Sequence, residues 1–291
     1  IDWIHRTSQQ PEPFFAYVAT NAPHGPYLAP DDWKQRFLKA GFRDEQAAFY
    51  GMIENIDHNV GRLVLHLHGD QLMENTVVIF MSDNGMTGGG SGRPGQALGQ
   101  TPAGGEMPFF NAGMKGLKGS PDEGGLRVPF YVRGDGRWPG GRDVDRVAAD
   151  IDIFPTLAGL VGAKLPAGQV EGRSLLPLLE NPQADWADRY IFTHVGRWPT
   201  GANPDDFKFK NFSIRSQQFR FVNNEQLFDM VADPAQKLNV IEQHPQVVQQ
   251  MRQAWDEWWE HTKPLLVNET APMSKTRPFY ELYFQQLNSS G

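Results

Sequence analysis

Two oxygen-bearing side chains, Asp83 and Asn84, come three residues after a short apolar run at residues 75–80. The run is rich in β-branched residues, which predicts a buried strand of a parallel sheet. Open α/β sheets bind their ligands beyond the carboxyl ends of such strands, and carboxylate and amide oxygens suit a hard cation such as calcium. The pattern therefore predicts a calcium site at Asp83 and Asn84, with a polar turn as the simpler alternative.

Two further segments carry charge that suits an anion. His24 lies between Pro23 and Pro26, after a strand candidate at residues 14–19, where its imidazole could contact an anion or protonate a leaving group. Lys118 lies among glycines that let the backbone approach a ligand, and its ammonium offers a point charge for sulfate or phosphate. A solvated basic loop would also explain Lys118, but a phosphate loop would not, because the Gly-x4-Gly-Lys-Ser/Thr spacing is absent.

His194 and Arg197 form a weaker candidate at the end of another short strand, next to Trp198. A histidine, an arginine and an aromatic ring together could hold an anionic sugar. We therefore treat His194 and Arg197 as predicted substrate contacts.

The elements that must position these groups divide the chain into two predicted units. Residues 1–184 alternate helical and strand patterns, with clear helices at 44–68 and 148–161 and a long irregular stretch at 85–125. Residues 185–291 contain four short strand candidates and then a helix, which predicts a small antiparallel sheet covered by a helix, followed by a tail. The strand candidates lie at residues 190–194, 212–215, 219–222 and 226–229, and the helix lies at 245–261.

Composition excludes several classes of function. The chain has 291 residues and a formal net charge of -7, which argues against a nucleic-acid partner because such proteins usually present a basic face. It has no cysteine, so neither a disulfide nor a cysteine nucleophile can come from these residues. No apolar run approaches the length of a membrane span, and the sequence predicts no membrane partner.

The order of the motifs over nearly the whole chain resembles the type I sulfatases of the alkaline phosphatase superfamily. In chain order the motifs are Asn21-Ala22-Pro23-His24, Ser82-Asp83-Asn84-Gly85, Lys118-Gly119-Ser120, Glu123-Gly124-Gly125-Leu126-Arg127-Val128-Pro129, Asp152-Ile153-Phe154-Pro155-Thr156-Leu157, Glu171-Gly172-Arg173-Ser174-Leu175-Leu176-Pro177 and Leu227-Phe228-Asp229-Met230-Val231-Ala232-Asp233-Pro234. The resemblance implies an α/β fold with a largely parallel sheet flanked by helices, plus a small C-terminal antiparallel sheet and helix.

The resemblance also implies roles for individual residues. Asp83 and Asn84 match the family's calcium ligands, with magnesium as the alternative ion. Lys118 matches the lysine that holds a sulfate oxygen, and His24 matches the histidine that contacts the sulfate and the leaving oxygen. The implied activity is hydrolysis of sulfate monoesters, on a sulfated small molecule or glycan, in a periplasmic or secreted protein.

One departure from the family pattern matters. The family's nucleophile is a formylglycine made within a Cys/Ser-x-Pro-x-Arg pattern, and this chain contains no such pattern. We expect the nucleophile in an upstream N-terminal segment, so the chain alone should be inactive and should associate with that segment or with another copy of itself. The alternatives are a phosphodiester or phosphonate hydrolase of the same superfamily, and a non-catalytic protein that binds sulfated glycans.

Overall fold

The computed structural model describes residues 1–87, 111–168 and 170–266, together with Glu281 and Gln285. The described helices are α1 (Asp2–Ser8), α2 (Asp31–Lys39), α3 (Asp44–Gly69), α4 (Glu123–Leu126), α5 (Ile153–Val161), α6 (Leu176–Glu180) and α7 (Pro245–Leu266). The described strands are β1 (Val78–Met81), β2 (Phe130–Arg133), β3 (Ile191–His194), β4 (Phe212–Arg215), β5 (Phe219–Val222) and β6 (Gln226–Asp229). Much of the irregular stretch predicted at 85–125, and nearly all of the predicted tail, lie outside the described residues.

Strands β1 and β2 form an antiparallel pair in which Val78 faces Arg133 and Met81 faces Phe130. The prediction that residues 75–80 form a parallel strand is therefore wrong for the pairing that the structure describes. An apolar, β-branched run indicates an extended and sheltered backbone, but it carries no information about the direction of the neighbouring strand. The end of β1 nevertheless delivers residues 82–84 beyond the strand, as the sequence predicts.

Residues 13–20, which include the predicted strand at 14–19, take part in none of the described sheets. Phe15, Tyr17 and Val18 are 71%, 84% and 69% exposed. Aromatic and β-branched residues favour an extended backbone, but a strand also needs a neighbour that completes its hydrogen-bond ladder. This prediction is therefore not met among the described residues.

The long helix α3 packs against α2 through aromatic rings, with Phe37 and Tyr50 stacked at 5.5 Å between ring centroids. Most residues from 46 to 52 are buried, including Phe49 and Met52. At its far end Leu67 joins a small apolar cluster with Ile4 and Met73. Helix α3 thus connects the region near the His24 loop, where Tyr27 packs on Phe49, to the start of the chain.

Asp152 fixes the start of α5 and is fully buried. Its carboxylate accepts hydrogen bonds from the backbone N–H groups of Ala149 at 2.9 Å and Arg173 at 2.8 Å, and it pairs with the guanidinium of Arg189. A buried carboxylate needs this degree of pairing to offset the loss of water. The helix predicted at 148–161 is confirmed with a later start, because α5 begins at Ile153 and ends at Val161.

The C-terminal part is a four-stranded antiparallel sheet in the order β3-β4-β5-β6, covered by α7. The four predicted strands are confirmed to within one residue at their ends, and the predicted helix extends five residues further than predicted. Trp255 and Trp259 are fully buried, and Trp255 stacks on Phe212 at 4.4 Å between ring centroids. These two tryptophans are therefore core residues. Within the described residues, no helix is long and apolar enough to cross a membrane.

Candidate functional site

Asp83 and Asn84 lie just beyond the end of β1, with Asp83 exposed and Asn84 half-buried. Among the described residues, neither side chain makes a hydrogen bond or an ion pair. The side-chain oxygens of Asp83 and Asn84 can therefore bind an external cation without breaking any contact among the described residues.

The backbone after these residues is held against α4. The N–H of Gly85 donates to the carbonyl of Gly125 at 2.9 Å. A Cβ atom on Gly85 would lie 2.0 Å from the carbonyl oxygen of Gly124, so only glycine permits this approach. The close packing fixes where the chain turns after Asp83 and Asn84.

The backbone of Lys118 is hydrogen-bonded to the segment that follows Asp83 and Asn84. Its N–H donates to the carbonyl of Met86 at 3.0 Å, three residues beyond Asp83. Its side chain is exposed and, within the described part of the chain, makes no ion pair or hydrogen bond. The ammonium of Lys118 is therefore free to bind an anion near the end of β1.

The His24 loop joins this region through one side-chain contact. The hydroxyl of Tyr27, three residues after His24, lies 3.2 Å from the hydroxyl of Thr87. His24 itself is exposed, and its Nδ1 lies 2.9 Å from the carbonyl oxygen of Gly25. Because a carbonyl can only accept, Nδ1 carries the proton here, which leaves Nε2 as the nitrogen that can meet a ligand.

Glu123, a residue that sequence reasoning did not assign a role, anchors the segment that carries Lys118. Its buried carboxylate pairs with Arg220 of β5, and Arg220 also donates to the carbonyl of Pro121 at 3.0 Å. Gln236 accepts a hydrogen bond from the backbone N–H of Glu123 at 2.7 Å. The motif around Glu123 is visible in the sequence, but its arginine partner is 97 residues away and leaves no local signal.

His194 and Arg197 have different surroundings. The Nε2 of His194 lies 3.0 Å from the carbonyl of Phe207, and its Nδ1 accepts from the N–H of Gly196 at 2.9 Å. Both ring nitrogens are therefore occupied, and the ring packs on Trp259 at 5.0 Å between centroids. The structure does not bring His194 together with His24 or Lys118 by any described contact, and its role as a substrate contact stays a prediction, as does that of the exposed Arg197.

A cavity of about 440 Å³ lies elsewhere in the fold and is lined by residues that include Arg146, Trp186 and Gln217. None of the predicted site residues lines it. The predicted site is a separate, open surface at the end of β1.

His194 provides a prediction for the pH dependence of stability. Burial lowers the pKa of His194 from its ordinary value of 6.5, and the hydrogen bond to the Phe207 carbonyl only partly opposes this. The unfolded chain then binds a proton more readily than the folded chain, so this contribution to stability is present above the unfolded pKa and is lost as the pH falls below it. We expect the free energy of unfolding, measured with urea, to fall between about pH 7 and about pH 5.

The His194→Gln variant should show a smaller fall over that range, because glutamine does not titrate. His261 on α7 is exposed, so His261→Gln is the matched control and should keep the wild-type profile. Parallel profiles for wild type and His194→Gln would contradict the assignment of this pH dependence to His194.

Comparison with known proteins gives matches that cover most of the chain. The sequence model described as "Sulfatase" matches residues 1–163, and the one described as "N-sulphoglucosamine sulphohydrolase, C-terminal" matches residues 121–261. The chain is 23% identical over 295 residues to the uncharacterized sulfatase YdeN of Escherichia coli (strain K12), a match that covers 90% of the chain and 49% of YdeN.

The chain is also 33% identical over 199 residues to N-acetylgalactosamine-6-sulfatase of Canis lupus familiaris, with 67% of the chain and 34% of that enzyme covered. A crystal structure of Ps i-CgsB in complex with k-i-k-neocarrahexaose superposes with a TM-score of 0.68 at 28% identity, and covers 88% of the chain and 52% of that protein. The predicted alkaline-phosphatase-like α/β fold class is thereby confirmed. The chain spans about half the length of YdeN and of Ps i-CgsB.

Proposed function

This chain belongs to the sulfatase family, and from that premise we propose that the protein hydrolyses sulfate monoesters of carbohydrates. The observation that carries the proposal is the meeting of three separate segments at the end of β1. Gly85 and Met86 bond to the segments of Gly125 and Lys118, and Tyr27 links the His24 loop to Thr87. These segments carry a candidate cation site, the ammonium of Lys118 and the imidazole of His24. Such groups can stabilise a tetrahedral anion and protonate the alcohol that leaves it.

We assign the roles as follows. The ammonium of Lys118 offsets negative charge on a sulfate oxygen, since it is exposed and has no acidic partner among the described residues. The ring of His24, when protonated at both nitrogens, supplies the Nε2 proton to the leaving alcohol while its Nδ1–H stays donated to the Gly25 carbonyl.

Asp83 and Asn84 fit a calcium ion by the chemistry of their donor atoms. Both offer oxygen, which calcium prefers over nitrogen or sulfur, and magnesium would accept the same donors. When bound, the ion would supply positive charge that draws electron density from the sulfate oxygens. Further ligands would be needed to complete the six to eight oxygens that calcium takes.

Hydrolysis also requires a nucleophile that attacks sulfur. These 291 residues contain no cysteine and no Ser-x-Pro-x-Arg pattern, so the formylglycine of this family would have to come from outside them. In its hydrated form, that group would supply an oxygen nucleophile toward sulfur. We therefore propose that the chain as given does not turn over substrate alone.

The substrate class rests on the relatives. One is named for a sulfated amino sugar, and a solved relative was crystallised with k-i-k-neocarrahexaose. A sulfated glycan is accordingly the partner that we propose. A periplasmic or secreted location stays a prediction from the family resemblance.

The test is a paired assay of the full-length protein on an aryl sulfate and an aryl phosphate. We expect the sulfate to be preferred, and we expect Lys118→Ala to lower kcat/KM on it by about 10²- to 10³-fold, because an oriented charge next to the reacting oxygens is removed. Lys39→Ala is the matched control, since Lys39 is an exposed lysine at the end of α2 and should leave kcat/KM unchanged.

Two other outcomes would replace this proposal. Preference for the phosphate would indicate a phosphodiester or phosphonate hydrolase. Binding of a sulfated glycan without turnover of either ester would indicate a non-catalytic binding protein. An unchanged kcat/KM in Lys118→Ala would remove Lys118 from the site.

A further inference from the structure

Three potential metal ligands lie together at the far end of α3. They are His5 of α1, His66 in the last turn of α3, and Asp70 directly after α3; we call them the His5 cluster. The Nδ1 of His5 lies 2.8 Å from Oδ2 of Asp70, and the Nε2 of His66 lies 3.2 Å from the same oxygen. One ligand atom from each residue lies within 4.8 Å of the others.

The donor set points to a particular class of ion. Two imidazole nitrogens and one carboxylate oxygen suit zinc, and also cobalt, nickel and copper, whereas calcium prefers oxygen donors throughout. His66 and Asp70 are four residues apart, so they lie on the same side of the helix end. Zinc bonds to nitrogen and oxygen at about 2.0–2.2 Å, which the observed spacing permits with small side-chain rotations.

His66 has a polar atom that the protein leaves without a hydrogen bond. Its Nε2 is buried, and its 3.2 Å contact with Asp70 lacks hydrogen-bond geometry, so no partner satisfies it among the described residues. A buried polar atom without a partner is costly. Coordination of a metal ion would satisfy this nitrogen and use the Asp70 carboxylate at the same time.

The cluster is separate from the proposed sulfate site. It adjoins the apolar cluster of Ile4, Leu67 and Met73, against which Val78 packs at the start of β1. Asp83 follows the opposite end of that strand. The two sites therefore adjoin opposite ends of β1.

We propose that His5, His66 and Asp70 form a binding site for zinc or a similar transition-metal ion, with water in the remaining position. The ion would join α1 to the end of α3, two elements that otherwise meet here through a few apolar side chains and the hydrogen bond from His5 to Asp70. This site is independent of the proposed sulfatase activity, because none of its residues belongs to the sulfate site.

The test is titration of the purified, chelator-treated full-length protein with zinc chloride and, separately, with cobalt chloride. We expect about one equivalent of zinc to bind at this site and to raise the Tm, since a ligand that binds only the folded state stabilises it. Cobalt should give the visible absorption bands of a low-symmetry site. Calcium chloride in excess should not displace zinc from it.

Two variants test whether zinc binds at the His5 cluster rather than elsewhere in the protein. His5→Gln changes a residue that is about half exposed, so the fold should survive, as circular dichroism would verify, while zinc affinity falls at least about tenfold. His68→Gln is the matched control, because His68 is two residues from His66 but bonds to Arg133 instead, and its zinc affinity should equal that of wild type. Equal zinc binding by wild type and folded His5→Gln, the absence of zinc binding by wild type, or displacement by calcium would each overturn the proposal.

Discussion

Glu123→Gln is expected to lower the free energy of unfolding by about 3–5 kcal/mol, because it leaves Arg220 as a buried charge without its partner. Arg220 is 4% exposed and Glu123 is 6% exposed, so water cannot replace the lost carboxylate. Burial already lowers the pKa of Arg220, and the nearby negative charge of Glu123 opposes that effect. The free energy would be measured by urea unfolding of the purified protein.

The design includes a double variant and a surface control. In Glu123→Gln/Arg220→Met both charges are gone, so the double variant should lose less stability than the two single variants added together. Asp135→Asn breaks the exposed pair with Arg133 and should change stability far less, because solvent screens that pair. A Glu123→Gln variant as stable as Asp135→Asn would show that the buried pair does not hold this region.

Gly85→Ala is expected to destabilise the protein by at least about 2 kcal/mol, since the added methyl group meets backbone rather than a movable side chain. Its Cβ would lie 2.0 Å from the carbonyl oxygen of Gly124 and 2.7 Å from the carbonyl carbon of Gly125. Relief of this clash must push α4 away from the end of β1. We therefore expect catalytic activity of the full-length protein to fall in this variant, measured at a temperature where it remains folded.

Gly61→Ala is the matched control for Gly85→Ala. Gly61 lies in the interior of α3, and a Cβ there would have nothing within 4 Å. Alanine favours the helix over glycine by about 1 kcal/mol, so this variant should be more stable than wild type. If Gly85→Ala lowers the free energy of unfolding while Gly61→Ala raises it, the effect at Gly85 comes from local packing. An unchanged free energy of unfolding in Gly85→Ala would mean that this packing is loose.

The sequence predicts the local elements well where a pattern repeats within a few residues. The spacing of Val248, Met251, Trp255 and Trp259 specifies α7, and the turn residues between short apolar runs separate β3 to β6. The same reasoning fails at residues 14–19 and at β1, because the neighbour of a strand and its direction are set by distant parts of the chain.

The sequence likewise reveals some residues of the candidate site and hides others. His24, Asp83, Asn84 and Lys118 stand out because their residue types suit a metal ion and an anion and because they match a family pattern. The groups that hold the Lys118 segment in place, Glu123 with Arg220 and Gln236, are hidden because each pair joins residues about a hundred positions apart. The cluster of His5, His66 and Asp70 is hidden for the same reason, since 60 residues lie between its first two members.

The link from Arg220 and Gln236 to Glu123 crosses the boundary that we predict near residue 184. A chimaera that exchanged the C-terminal sheet for that of another sulfatase would therefore also exchange the supports of the Lys118 segment. Such a recombinant protein should keep the Lys118 segment in place only when the incoming part supplies an arginine in the sheet and an amide just after it, at positions that match Arg220 and Gln236. Crossover points for directed evolution of this scaffold would accordingly be better chosen after residue 236 than at the visible change of architecture.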